Sequence, residues 1–311
     1  MITLAVETAR EARFRHVMFK GQCAAVPLNL APPQPAPPPP PPVQHPALSW
    51  AAGEALELDD VIFLHWLFER AGMALCEYRP ETIRRRLPAC LRALRVNSPA
   101  GARERLENDP GLVAHAISTM VIGVTGFLRD KNVFDQLRDT VLPALPRRAG
   151  HPRVWSIGCS DGQELYSVAM LLGEMNLLRG GATLLGTDCR SAAVARARQG
   201  QYDGAAVRDV PPNFLDKYFL HHDTTWRVCD ELRCAIQWRT ADITRLAEPG
   251  AWDLILCRNV CMYFRCETAH RLRLICEQAL RPGGFLVFGK AERPTGSTRL
   301  APIGPCIYRK E

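Results

Sequence analysis

Between Val154 and Met170 the pattern of apolar and polar positions changes period. Val154, Trp155 and Ile157 are dense enough in apolar character for a buried strand, while Leu165, Val168, Ala169 and Leu172 recur at helical spacing. Gly158-Cys159-Ser160-Asp161-Gly162 separates the two halves, and its glycines permit a sharp turn and a close backbone approach to a ligand. Strand, glycine loop and helix form the first unit expected of a doubly wound α/β sheet, in which a ligand crevice lies beyond the strand's carboxyl end. The same pattern predicts further strands at Leu184–Cys189, Ala251–Val260 and Gly284–Gly289. It predicts a helix from Glu267 to Leu280, ended by Arg281-Pro282-Gly283-Gly284.

Upstream the period is helical. Val61, Leu64, His65, Leu67 and Phe68 share one face of a segment that ends at Ala71-Gly72, and a second helix begins near Pro80. Its Arg84, Arg85, Arg86, Arg92 and Arg95 alternate with Ile83, Leu87, Leu91 and Leu94, which reads either as a solvated face or as a docking surface for an acidic helical partner. Another helical run covers Leu112–Met120, and Val124–Leu137 predicts a turn and then a helix with Phe127, Phe134 and Leu137 inward. A short loop, Pro146–Pro152, leads into the first strand. Downstream, Tyr218–Trp238 departs from the strand–helix rhythm. Short β-prone pieces at Thr225–Val228 and Cys234–Trp238 predict a small antiparallel insertion.

Composition narrows this picture. A chain of 311 residues has room for two ordinary domains, and no uninterrupted apolar run of about 18 residues suggests a membrane span. The first residues are interrupted by Glu7, Arg10, Glu11, Arg13 and Arg15, so no secretory leader is expected and the cytoplasm is the expected location. Twelve cysteines include no C-x-x-C pair, so neither a disulfide framework nor a metal site is expected. From Ala31 to Pro46 the chain is proline-rich, ten residues of sixteen, which reads as a polyproline II spacer or tail that could also present an SH3-like ligand. Residues 1–50 are accordingly read as a poorly ordered head. The net charge of +7 fits an acidic partner, nucleic acid or simple solubility. Asp188, at the end of the second predicted strand, stands where such sheets receive two ribose hydroxyls; the alternative is a cap for the helix that starts at Ser191.

Four stretches, taken in order, make a more specific pattern: VTGFLRDKNVF, WSIGCSDGQELYS, GTDCRSAAVARARQGQY and LCRNVCMYF. Together with the helical region from Leu64 to Asp109, they resemble the chemotaxis-receptor glutamate methyltransferases, the CheR family, over residues 58 to 310. The resemblance implies a class I S-adenosylmethionine-dependent methyltransferase fold, a Rossmann-like doubly wound α/β sheet. It also implies an all-α N-terminal domain (51–120), a methyltransferase domain (121–311) and a β-subdomain insertion at 218–240 that contacts receptors. It implies that Thr125, Arg129, Gly158, Gly162, Glu164 (or Gln163 beside it), Asp188, Asp242, Ile243, Arg258 and Asn259 bind the cofactor, that S-adenosylhomocysteine is its product, and that Arg129 and Tyr263 act at the transferring methyl.

The implied chemistry needs no strong base. A glutamate carboxylate is already anionic at neutral pH, so the demand is on positioning and on exclusion of water. The chain departs from the family pattern at Gly123 (Asn in the family), Gln163 (Glu), Arg190 (Asp), Asp242-Ile243 (Asn-Leu) and Lys290-Ala291 (His-Ser). These departures leave open a non-catalytic signalling adaptor. Nucleic-acid methylation is not expected, because Arg258-Asn259-Val260-Cys261 replaces the Pro-Pro-aromatic tip of such enzymes. A monomer acting on a chemoreceptor-type helical protein is the expectation.

Overall fold

A computed structural model describes residues 14–19, 22–27, 56–145, 151–178, 181–245, 250–293 and 299–311. The proline run and most of the loop at 146–152 lie outside the described residues. Within the head expected to lack structure, Phe14–Phe19 (β1) and Gln22–Pro27 (β2) pair as an antiparallel hairpin, with Phe14 opposite Pro27. The hairpin belongs to one compact unit, and everything from Leu56 onward belongs to a second.

The second unit begins with helices α1 (Leu58–Arg70), α2 (Pro80–Ala93), α3 (Pro99–Asn108) and α4 (Val113–Met120). Helix α3 escapes the apolar pattern because it buries only Ala102 and Leu106; its start is marked by Ser98, whose side chain accepts from the Gly101 N–H. After α5 (Lys131–Gln136) and a π-helical turn at Leu137–Val141, the chain enters β3 (Arg153–Ile157), α6 (Gln163–Glu174), β4 (Thr183–Asp188) and α7 (Ser191–Gln199). A three-stranded antiparallel sheet follows, built from β5 (Gln201–Asp203), β6 (Phe219–His222) and β7 (Thr225–Val228), with α8 (Pro212–Tyr218) between its first two strands. The chain then runs through α9 (Asp230–Ala235), β8 (Ile236–Thr240), β9 (Trp252–Cys257), α10 (Cys266–Ala279), β10 (Leu280–Phe288), β11 (Leu300–Pro302) and β12 (Ile307–Lys310).

The main sheet has the order β11-β12-β10-β9-β3-β4-β8. Its five strands from β10 to β8 are parallel, and β12 and β11 close one edge antiparallel. The chain moves outward from β3 through β4 to β8 and then returns to lay β9 on the other side of β3. That reversal opens a crevice at the carboxyl ends of β3 and β9. The doubly wound α/β expectation holds, with two corrections. The antiparallel insertion runs from Gln201 to Val228, and the Cys234–Trp238 segment assigned to it instead forms α9 and the parallel strand β8. Arg281-Pro282-Gly283-Gly284 is not a separate turn but a register irregularity inside β10, between Leu280 and Phe285.

Alternation along the strands decides where the layers go. Val154, Leu254, Leu256, Phe285 and Val287 face a core closed by α5, α6 and the insertion. Trp155, Ile157, Ile255, Leu286 and Phe288 face the opposite way, onto Phe63, Phe68, Ile83 and Leu106 of the N-terminal helices and Leu272 of α10. The helices are therefore a layer of the sheet's own core. Fastenings across the strands are polar: the Trp155 indole donates to Thr187 Oγ1 at 3.0 Å, and fully buried Asp253 accepts from the Arg153 N–H (2.8 Å) and from Arg281 (3.0 Å).

A shared core predicts shared unfolding. Phe68→Ala removes a ring that is fully buried at this interface and should cost about 3–5 kcal/mol. In urea denaturation followed by near-ultraviolet circular dichroism, it should move the whole unit's single transition. Loss of helix with the sheet's midpoint unmoved would contradict this.

Candidate functional site

The crevice lies where four parallel strands end, and the loops after β3, β4, β8 and β9 form its walls. It encloses about 700 Å³ of empty space, mouth included. A smaller lobe of about 300 Å³ shares Val124, Gly158, Arg258 and Asn259 with it. Gly158 lies in both walls with φ +65°, and a Cβ there would stand 2.5 Å from Val260 Cγ2. Only glycine lets these two strand ends approach so closely. Gly162 (φ +92°) starts α6, and its missing Cβ makes room for Trp238 and Ala197. It lines neither lobe, so its part is packing. Among the described non-glycine residues seven have positive φ, and Leu128, Asp130, Ser160 and Asn259 of these belong to loops that bound the crevice. Strain concentrated this way is typical of a binding site.

In the large lobe, Asp188 sits at the end of β4 with 5% of its side chain exposed. It accepts the Ser160 N–H (2.9 Å) and the Arg190 N–H (2.9 Å), so it braces the glycine loop as well as the approach to α7. The Arg190 guanidinium curls back to donate to both carboxylate oxygens, at 3.0 and 3.2 Å, and to Ser160 Oγ at 3.0 Å. After β8, Asp242 lines the same lobe beside Ile243. One of its oxygens accepts from Thr244 N and Oγ1 at 2.9 and 2.8 Å, while the other, Oδ2, is buried with no partner among the described residues.

The small lobe is organised by Arg258, from the end of β9. Its side chain is 1% exposed and donates to Glu164 at 2.9 Å, Asp130 at 2.7 Å and the Arg129 carbonyl at 3.1 Å. Glu164, in the first turn of α6, also accepts from Ser156 Oγ at 3.0 Å. Gln163 beside it is buried and lines neither lobe. Burial pushes the Asp130 carboxyl up, but Lys290 at 2.7 Å and Arg258 outweigh it and hold the group below its ordinary value. Thr125 and Arg129 complete this lobe, with Arg129 donating to the Val124 carbonyl at 2.6 Å. Asn259 is held by its own backbone: its N–H, with those of Gly289 and Met262, donates to buried Glu292. Burial raises the Cys159 and Cys189 thiols well above their ordinary values, so both stay protonated.

Of the expected residues, Thr125, Arg129, Gly158, Glu164, Asp188, Asp242, Ile243, Arg258, Asn259 and Tyr263 line one lobe or the other. The two expected catalytic side chains are divided: Arg129 lines the small lobe and Tyr263 the large one. Sequence reasoning missed Tyr78 and Ser160. Tyr78 reaches the crevice because the N-terminal helices grip the loop after β9: it bridges to Phe264, Arg79 N–H donates to the Tyr263 carbonyl (3.0 Å), and Arg79 Nε donates to the Phe264 carbonyl (2.7 Å). Nothing local to Tyr78 could have shown this. Ser160 lay in the glycine loop already singled out.

The family model for the CheR methyltransferase SAM-binding domain matches residues 123–303. The chain is 30% identical over 239 residues to a chemotaxis protein methyltransferase of Listeria monocytogenes, covering 76% of this chain and 91% of that protein. It is 31% identical over 265 residues to a probable chemotaxis protein methyltransferase of Rhizobium etli (78% and 96%), and 29% identical over 253 residues to the chemotaxis protein methyltransferase of Escherichia coli (77% and 86%). A doubly wound sheet with its crevice at the switch point, a buried carboxylate at the end of β4 and a family match over most of that sheet lead to one conclusion: this chain belongs to the CheR family of S-adenosylmethionine-dependent methyltransferases.

Proposed function

We propose that the chain esterifies glutamate side chains on a helical, chemoreceptor-type protein. The observation that carries this reading is the small lobe. It is lined by Arg129 and, among the described residues, by no histidine or lysine, and the one carboxylate among these lining residues, Glu164, is committed to Arg258. An amine or alcohol acceptor would need a base there. A carboxylate needs none, because it is already ionised at neutral pH.

The crevice suits the cofactor. Asp242 Oδ2, buried and without a partner among the described residues, is an acceptor suited to an adenine amino group. Asp188 is the acceptor suited to a ribose diol, and Glu164, on the far side of Gly158, would face the methionyl end. When bound, S-adenosylmethionine supplies an electrophilic methyl group. The protein's part is to hold and to dehydrate. Arg129 pairs with the incoming carboxylate, Tyr263 closes the large lobe, and the grip of Arg79 keeps the loop after β9 shut against water. The exposed Arg85, Arg92 and Arg95 on or just beyond α2 support an acidic helical acceptor.

A second reading, the non-catalytic adaptor, is favoured by one observation: the Arg190 fork already occupies Asp188. Tritiated methyl supplied as S-adenosylmethionine, with receptor-bearing membranes as acceptor, separates the two. Base-labile label on a receptor glutamate is the expected result. Ordinary cofactor binding with no label on any cognate receptor would overturn the substrate assignment.

Asp242→Leu tests the adenine end. It removes the acceptor and leaves the adenine amino group unpaired, and should weaken S-adenosylhomocysteine binding by about tenfold or more in calorimetry. Unchanged affinity would remove Asp242 from the site.

A further inference from the structure

Asp188 has room for about four hydrogen bonds, and four N–H groups fill it: the backbones of Ser160 and Arg190, and Nε and Nη2 of Arg190. The two backbone donors are fixed by the glycine loop and by the start of α7. A ribose diol can therefore reach both carboxylate oxygens only by taking the places of the two side-chain donors. Arg190 is not a loose surface arm. Its side chain is 6% exposed, and its Nη2 is anchored again on Ser160 Oγ, which in turn donates to the Gly123 carbonyl at 2.9 Å.

Gly123 is the mould for this arrangement. A Cβ at position 123 would stand 1.8 Å from Arg190 Nη2 and 2.4 Å from Cζ. The fork and any side chain at 123 exclude one another. Two departures far apart in sequence, a missing side chain at Gly123 and an added guanidinium at Arg190, are thus one structural feature. We propose that Arg190 competes with the ribose diol for Asp188 and so sets the affinity of the crevice for its nucleoside ligand. This rests on the reading that Asp188 holds the diol.

The fork must leave as the diol arrives. A buried arginine–carboxylate pair gives up its partner reluctantly, and apparent affinity falls by the fraction of time that the site is open. The protein would then respond only to high cofactor concentrations, and its preference for ligands bearing both ribose hydroxyls is smaller than it would be without the fork.

Isothermal titration with S-adenosylhomocysteine tests this on wild type, Arg190→Ala and Gly123→Ala. The second variant expels the fork while leaving the arginine in place, and it carries the test if the first fails to fold. Both should bind about tenfold more tightly, as expected for a site otherwise open about a tenth of the time. Both should show unchanged affinity for 2′,3′-dideoxyadenosine, which has no diol to compete. Equal or weaker S-adenosylhomocysteine binding by both variants, or an equal gain for the dideoxy compound, would overturn the competition. Asp188→Ala separates the two levels: if it leaves S-adenosylhomocysteine binding intact in an otherwise wild-type protein, the diol is held elsewhere and the underlying reading fails.

Discussion

Arg258 can be desolvated only when three distant segments are all in place. Its guanidinium, 1% exposed, needs Glu164 from the first turn of α6, Asp130 from the loop before α5, and the Arg129 carbonyl, and it reaches them from the end of β9. An arginine buried without such partners would cost several kcal/mol, so the glycine loop, the Thr125–Arg129 segment and β9 must assemble together or not at all. Lys290 extends the cluster to the far end of β10 through Asp130. The crevice is the space left when these charges have met.

The second buried arginine has the opposite effect. Arg258 builds a wall, whereas Arg190, under the proposed competition, holds the carboxylate that a ligand would use. Both sit on carboxylates in a medium of low dielectric, where paired charges hold strongly and unpaired ones are penalised. The difference lies in replaceability. No ligand hydroxyl can substitute for Arg258 between its two acids, whereas a ribose diol matches the Arg190 fork bond for bond at Asp188. Under that proposal, construction and control of the same crevice use the same interaction.

Much of this was legible along the chain, because local features carry it. Val154–Met170 announces strand, loop and helix through its change of period, and all of Leu165, Val168, Ala169 and Leu172 are fully buried in α6. Asp188 and Arg258 stand at strand ends, where the fold class places ligand-facing residues. What was not legible is long-range. Strand β8 looks like part of a hairpin because Gln237, Arg239 and Thr240 are exposed on an edge strand, so its parallel pairing with β4 leaves no continuous apolar run. Tyr78 enters the site only through the grip of the helical layer on Phe264. Gly123 and Arg190 each look like a loss when read singly, and only their contact shows them to be one exchange.

A crystal structure of the protein with S-adenosylhomocysteine tests the account most directly. It should show both ribose hydroxyls on Asp188, the adenine amino group on Asp242 Oδ2, and the Arg190 guanidinium withdrawn from Gly123. A ligand bound in this crevice with the Arg190 fork still on Asp188, or one bound away from the ends of β3 and β4, would contradict it.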